Sequence, residues 1–172
     1  MSDFGFKTIN LENWLSVDPV IACYGTKVNG ETVPVPPSYW LENLLKPQLN
    51  LSVPEEVRKL FEIARGAMIY GYFYYPLFTF GSEQILRIGE AAITAKFVAS
   101  NGPTTTKTFF DRIKWLEESG VISPEIAASW HVVREARNYS SHPSEAAILT
   151  PGMVQIQVVE IVNRVNALFS RS

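Results

Sequence analysis

An all-α antiparallel helical bundle, preceded by a short arm that is irregular or a β-hairpin, is the fold class this sequence predicts. Three observations lead there. Helix starts after residue 50 carry polar caps followed by proline or acid. The final segment repeats apolar residues at helical spacing. The first 36 residues are instead rich in β-branched residues and prolines around a central Asn29-Gly30, a pair suited to a two-residue hairpin turn.

Taken in order, VIACYGTKV and ETVPV flank Asn29-Gly30 and predict the hairpin. From Pro54 the reading is helical. The starts are Ser52-Val-Pro-Glu-Glu, Ser82-Glu, Ser123-Pro-Glu and Thr150-Pro. They predict a long or broken helix over 54–80, then helices over 82–99, 105–119, 123–139 and 151–170, the third ended by Gly120. Phe109, Ile113 and Leu116 form one face of that third helix. Val158, Ile161, Val162, Val165, Leu168 and Phe169 do the same for the last. Short connections favour antiparallel neighbours. The expected organisation is an arm over 1–50 and a helical domain over 51–172.

At 172 residues the chain is long enough for one domain with a sizeable core. Its net charge of −2 provides no global positive field to steer nucleic acid, so any such contact must be local. The charge is also divided: residues 1–57 carry three Lys or Arg against seven acids, whereas 58–172 carry twelve against ten. One cysteine, Cys23, forbids an internal disulfide, and with two histidines no Cys/His zinc cluster can form. No metal or cofactor is expected. The start lacks a basic stretch leading into an apolar run, so a cytoplasmic location is expected. The uncharged stretch over 66–82, GAMIYGYFYYPLFTFGS, sits at the lower length limit of a membrane span and contains Pro and Gly. A buried helix or an oligomer seam is the better expectation.

Two charges stand where apolar residues are expected. Ile126, Trp130, Val133 and Arg137 fall on one helical stripe, as do Leu86, Glu90, Ile93 and Phe97. Burying either charge alone is costly, so each needs a partner or a cavity. An ion pair between Glu90 and Arg137 satisfies this, as do charged tips reaching solvent past apolar stems.

The segment after Arg137 reads RNYSSHP. On an unbroken helix Arg137 and His142 would point about 140° apart. Pro143, however, disfavours the α conformation at His142, and Asn138, Ser140 and Ser141 compete for backbone hydrogen bonds. The chain can therefore fold back and bring imidazole beside guanidinium, where a helix C-terminus favours the imidazolium form.

In this respect the sequence resembles the HEPN domain family, whose signature is Arg, a polar residue, a short spacer and His at the end of a bundle helix. Arg137, Asn138 and His142 fill those places, and ILRIGEAAITAKF (85–97), FFDRIKWLEESGVISPEIAASWHVVREARNYSSHP (109–143) and the apolar last helix supply the wider context. The resemblance covers roughly 54–170. It implies an HEPN-like bundle and a metal-independent endoribonuclease that works as a homodimer, with RNA as substrate and without cofactor. His142 is then acid or base, Arg137 the phosphate clamp and Asn138 an orienting or RNA-contacting group. Glu90 matches an acidic position of the family and supports Arg137. Toxin–antitoxin or phage-defence settings, with an inhibitory partner protein, belong to the same implication. Other family members have lost cleavage and serve as RNA- or nucleotide-binding or dimerisation modules, which is the alternative reading.

Other constellations are weaker. Ser141 and His142 are neighbours whose side chains diverge, and Cys23 reads as a small buried hydrophobe. His131, Arg134 and Asn138 form a polar strip, read as a solvated helix face from which Arg134 can add an RNA phosphate contact. The aromatic residues over 70–80 suit a core or dimer seam better than base stacking.

Overall fold

A computed structural model of the chain describes residues 6–140 and 150–170. His142, and with it the expected closure over the end of its helix, lies outside the described residues. The order of elements is α1 (Pro19–Ala22), β1 (Gly25–Val28), β2 (Glu31–Pro34), α2 (Pro37–Leu45), α3 (Glu55–Tyr70), α4 (Tyr75–Ala99), α5 (Phe109–Glu118), α6 (Pro124–Ser140) and α7 (Pro151–Phe169). The chain is mainly helical, with one short antiparallel hairpin near the N-terminus.

The hairpin forms where Asn29-Gly30 predicts it. Both residues adopt positive φ, 52° and 87°, as the two central positions of a two-residue hairpin turn require. Gly25 pairs with Pro34 and Val28 with Glu31 across it. The segment around the hairpin also enters the core: Ile21, Trp40 and Leu44 are buried with the bundle residues. Trp40 Nε1 donates to the carbonyls of Met68 and Ile69, each at 3.2 Å, so the indole is buried with its polar atom satisfied. Asp18 is fully buried and serves two helices at once. One carboxylate oxygen accepts from Val20 N at 2.9 Å and caps α1, and the other accepts from Tyr75 N at 3.0 Å at the start of α4. Close by, the buried Lys7 ammonium donates to the carbonyls of Asn13 at 2.7 Å and Ser16 at 2.6 Å. Cys23 departs from its expected burial. It ends the single turn of α1 on the outside and is exposed, with its thiol donating to the Pro19 carbonyl at 3.3 Å.

The break in the long apolar stretch falls at 71–74, earlier than the Ser82-Glu signal places it. α4 begins at Tyr75 with Pro76 in its first turn, where the missing N–H costs nothing. Ser82 lies inside the helix and donates back to the Thr79 carbonyl at 2.7 Å, a bond a mid-helix serine makes without ending the helix. α3 and α4 fold against each other along their length. A Cβ at Gly81 would come within 2.6 Å of Met68 Cγ and 2.7 Å of the Ala64 carbonyl, so only glycine permits this approach. Tyr72, Tyr75 and Phe78 are buried from the aromatic run, while Tyr70 and Phe80 are exposed. No helix among the described residues is long and apolar enough to cross a membrane.

α7 follows its sequence signals, while α5 starts at Phe109, later than the expected 105. Thr108 caps α5 through Asp111 N at 3.1 Å, and Gly120 takes a positive φ of 70° just past its end. Thr150 caps α7 ahead of Pro151. α7 buries Val158, Ile161, Val162, Val165 and Leu168, the face its spacing predicts. On α6 Trp130 and Val133 are buried as the stripe predicts, with Ala127 inside in place of Ile126, which is exposed. Trp130 is the largest fully buried side chain among the described residues. α4 lies centrally and packs against α3, α5, α6 and α7.

Candidate functional site

α4 and α6 are brought close at one turn by Gly89, where a Cβ would stand 2.9 Å from Val133 Cγ1. The next residue on α4 is Glu90, and one turn beyond Val133 on α6 is Arg137. This close crossing lets the two charges meet. Arg137 Nη2 lies 2.8 Å from Glu90 Oε2, with the side chains 32% and 27% exposed. The pair is neither sealed nor fully solvated, so the carboxylate fixes the guanidinium without removing it from the surface. Arg137 Nη1 also donates to Asn138 Oδ1 at 3.1 Å, joining the first two residues of the RNYSSHP segment. Ser140 Oγ donates to the Arg137 carbonyl at 2.9 Å, the backbone competition expected of polar residues at this helix end.

Arg137 and Glu90 open on a cavity of about 710 Å³ between the start of α3, the outer face of α4 and the end of α6. Pro54, Val57, Ala91 and Ala95 give it an apolar floor, and Arg87 stands at its rim. Arg87, Glu90, Thr94 and Val98 fall on one stripe of α4. Thr94 Oγ1 donates to the Glu90 carbonyl at 2.8 Å and accepts from Arg112 Nη1 on α5 at 2.7 Å. Thr94 also lines a second cavity of about 510 Å³ shared by Asn101, Thr104, Lys107 and Arg112.

Glu90, Arg137 and Asn138 thus converge, whereas Arg134 turns towards α5. Its guanidinium stacks over the Phe110 ring at 5.4 Å and pairs with Glu135 at 3.2 Å. His131 lies against the same ring at 5.1 Å, its Nδ1 buried without a hydrogen-bond partner among the described residues. The strip expected to be a solvated face is therefore partly an α5–α6 contact, because the exposed Phe110 offers a platform that helical spacing on α6 alone does not reveal. Sequence reasoning also missed Arg87, Thr94, Lys107 and Arg112. The stripe from Arg87 through Thr94 is visible in the spacing, but the meeting of Thr94 with Arg112 is tertiary.

A family model described as "Domain of unknown function (DUF4145)" matches residues 85–169, from within α4 to the end of α7. No curated protein matches the chain, and neither does any solved structure.

Proposed function

We propose that this chain is a metal-independent endoribonuclease of the HEPN type that acts as a homodimer. The observation that carries the reading is the placement of Arg137. It is held by Glu90, bonded to Asn138, and opens on a broad cavity at the end of α6, five residues before His142. In the reaction, a base takes the proton of a ribose 2′-hydroxyl and the 2′-oxygen bonds to the adjacent phosphorus. The bond to the 5′-oxygen breaks and that oxygen receives a proton, leaving a 2′,3′-cyclic phosphate and a 5′-hydroxyl. His142 moves the protons and Arg137 offsets the charge that grows on the phosphoryl oxygens. Two copies related by a two-fold axis supply both an acid and a base from one histidine per chain. An HEPN-like bundle, an RNA substrate and an inhibitory partner protein are parts of the same proposal.

Arg137 is tied on both sides, to Glu90 and to Asn138, which favours as a second reading a non-catalytic module in which this cluster only binds RNA or builds a dimer. The test is cleavage of single-stranded RNA in EDTA with the product ends identified. The ribonuclease reading expects cyclic-phosphate ends from the wild type and none from His142→Ala. A wild type inert on varied RNAs, or a His142→Ala protein that cuts equally well, overturns it.

A further inference from the structure

We propose that the outer face of α4 is the track for a single RNA strand and that Arg112 and Lys107 form a phosphate-binding site at its far end. The inference rests on the ribonuclease reading for the choice of RNA.

The two cavities along α4 adjoin at Thr94 and Val98, which line both, and together they make the trough of this proposal. From Arg87 to Val98 the helix rises about 17 Å, room for several nucleotides of an extended strand. Cations stand at both ends, Arg87 and Arg137 at one and Lys107 and Arg112 at the other, while the floor between is made of small apolar side chains. Of the two carboxylates along the trough, Glu56 and Glu90, the second is engaged by Arg137.

Arg112 is the informative residue. It is half-buried and its Nη1 is fixed by Thr94, but its Nε is buried with no hydrogen-bond partner among the described residues. No carboxylate of the described residues pairs with it. A guanidinium held this way has donors to spare and, among the described residues, no carboxylate to neutralise it, a costly arrangement unless an anion completes it. Lys107 is exposed beside it, and Thr104 and Thr106 bring hydroxyls to the same cavity. A phosphodiester suits this set because guanidinium offers paired donors to phosphate oxygens, ammonium adds a point charge and hydroxyls donate. An extended strand places phosphates against the cations at either end and riboses against the apolar floor between them.

The experiment is fluorescence anisotropy of the full chain with a labelled short single-stranded RNA over a range of salt concentrations, for wild type, Lys107→Ala, Arg112→Gln and Arg112→Lys. Circular dichroism and urea melts verify folding; Lys107 is exposed, so Lys107→Ala keeps the test valid where Arg112→Gln unfolds. Lys107→Ala is expected to weaken binding about threefold to tenfold and to flatten the slope of log K against log salt by about 0.7. Arg112→Gln is expected to lose more, and Arg112→Lys to retain the slope with reduced affinity. Wild-type affinity and slope in Lys107→Ala overturn the site, as does failure of the wild type to bind RNA. Binding of polyglutamate through Lys107 in place of RNA overturns it too. RNA that is bound through Lys107 but never cut sustains the site while the ribonuclease reading falls; RNA cut by a Lys107→Ala protein of unchanged affinity does the reverse.

Discussion

Glu90 on α4 and Arg137 on α6 meet at 2.8 Å across a helix crossing that Gly89 makes close. Each side chain is the charged member of a stripe that is otherwise largely apolar, and about a third or less of each is exposed. Removing one partner leaves the other charge half-buried. Glu90→Ala and Arg137→Ala are each expected to lower stability by about 1–3 kcal/mol, and the double variant by less than the sum. Urea denaturation of the four proteins gives the coupling directly. Strict additivity would show that the pair contributes nothing beyond its separate contacts.

Asp18 supports α1 and α4 with one carboxylate. Asp18→Ala strands two backbone N–H groups, one of them buried at the start of α4, and is expected to cost about 2–4 kcal/mol. Asp18→Asn keeps one accepting oxygen and should fall between. An Asp18→Ala melt within experimental error of the wild type would refute the shared cap.

Two glycines should respond with opposite sign to the same change. Gly66 lies inside α3, and a Cβ there would have nothing within 4 Å, so Gly66→Ala should stabilise by up to about 1 kcal/mol through helix propensity. At Gly81 the same methyl meets Met68 and the Ala64 carbonyl. There the clash should outweigh propensity, and Gly81→Ala should destabilise by about 1–3 kcal/mol. Equal shifts in both variants would mean that α3 and α4 are not packed as closely as the geometry states.

Alkaline pH should weaken the fold through its buried phenols. Burial pushes the Tyr75 hydroxyl up from 10.0, helped by its hydrogen bond with Tyr24, and burial raises Tyr72 as well. The unfolded chain then ionises first, so their stabilising contribution is complete below pH 10 and is lost as pH rises above it. Lys7 works the other way. Burial lowers its pKa from 10.5 against the opposing pull of Asp18, so the fold gains stability as pH rises from the folded value towards 10.5. Above that the gain from Lys7 is complete and no longer offsets the loss from the phenols. Denaturant midpoints should therefore drop more steeply past pH 10.5 for wild type than for Tyr75→Phe; parallel curves would dismiss Tyr75 as the source.

What the sequence disclosed, and what it withheld, follows from whether the signal was local. Gly120 and Thr150 act within a turn of their own helix, so the end of α5 and the start of α7 could be read directly, whereas α5 starts at Phe109 behind its Thr108 cap, later than the expected 105. The boundary of α4 could not, because GAMIYGYFYYPLFTFGS lacks apolar periodicity and Ser82-Glu resembles a cap, although Tyr75-Pro76 carried the true signal. On α6 the stripe through Trp130 and Val133 was legible, and only the exchange of Ile126 for Ala127 at its start was not. At the site, Glu90 and Arg137 were legible as misplaced charges. Arg112 was not, since its meaning comes from Thr94, eighteen residues earlier on a different helix.

The length of α4 bears on where this protein can be cut. The match to the family of unknown function starts at residue 85, inside a helix that runs unbroken from Tyr75 to Ala99. A fragment begun there would discard the turns that hold Gly81 against α3 and the backbone N–H that Asp18 caps. It would also remove α3 and its packing against α4. The region that the family model matches is thus smaller than the set of elements packed around α4, and a fragment that keeps those contacts has to begin upstream of Asp18.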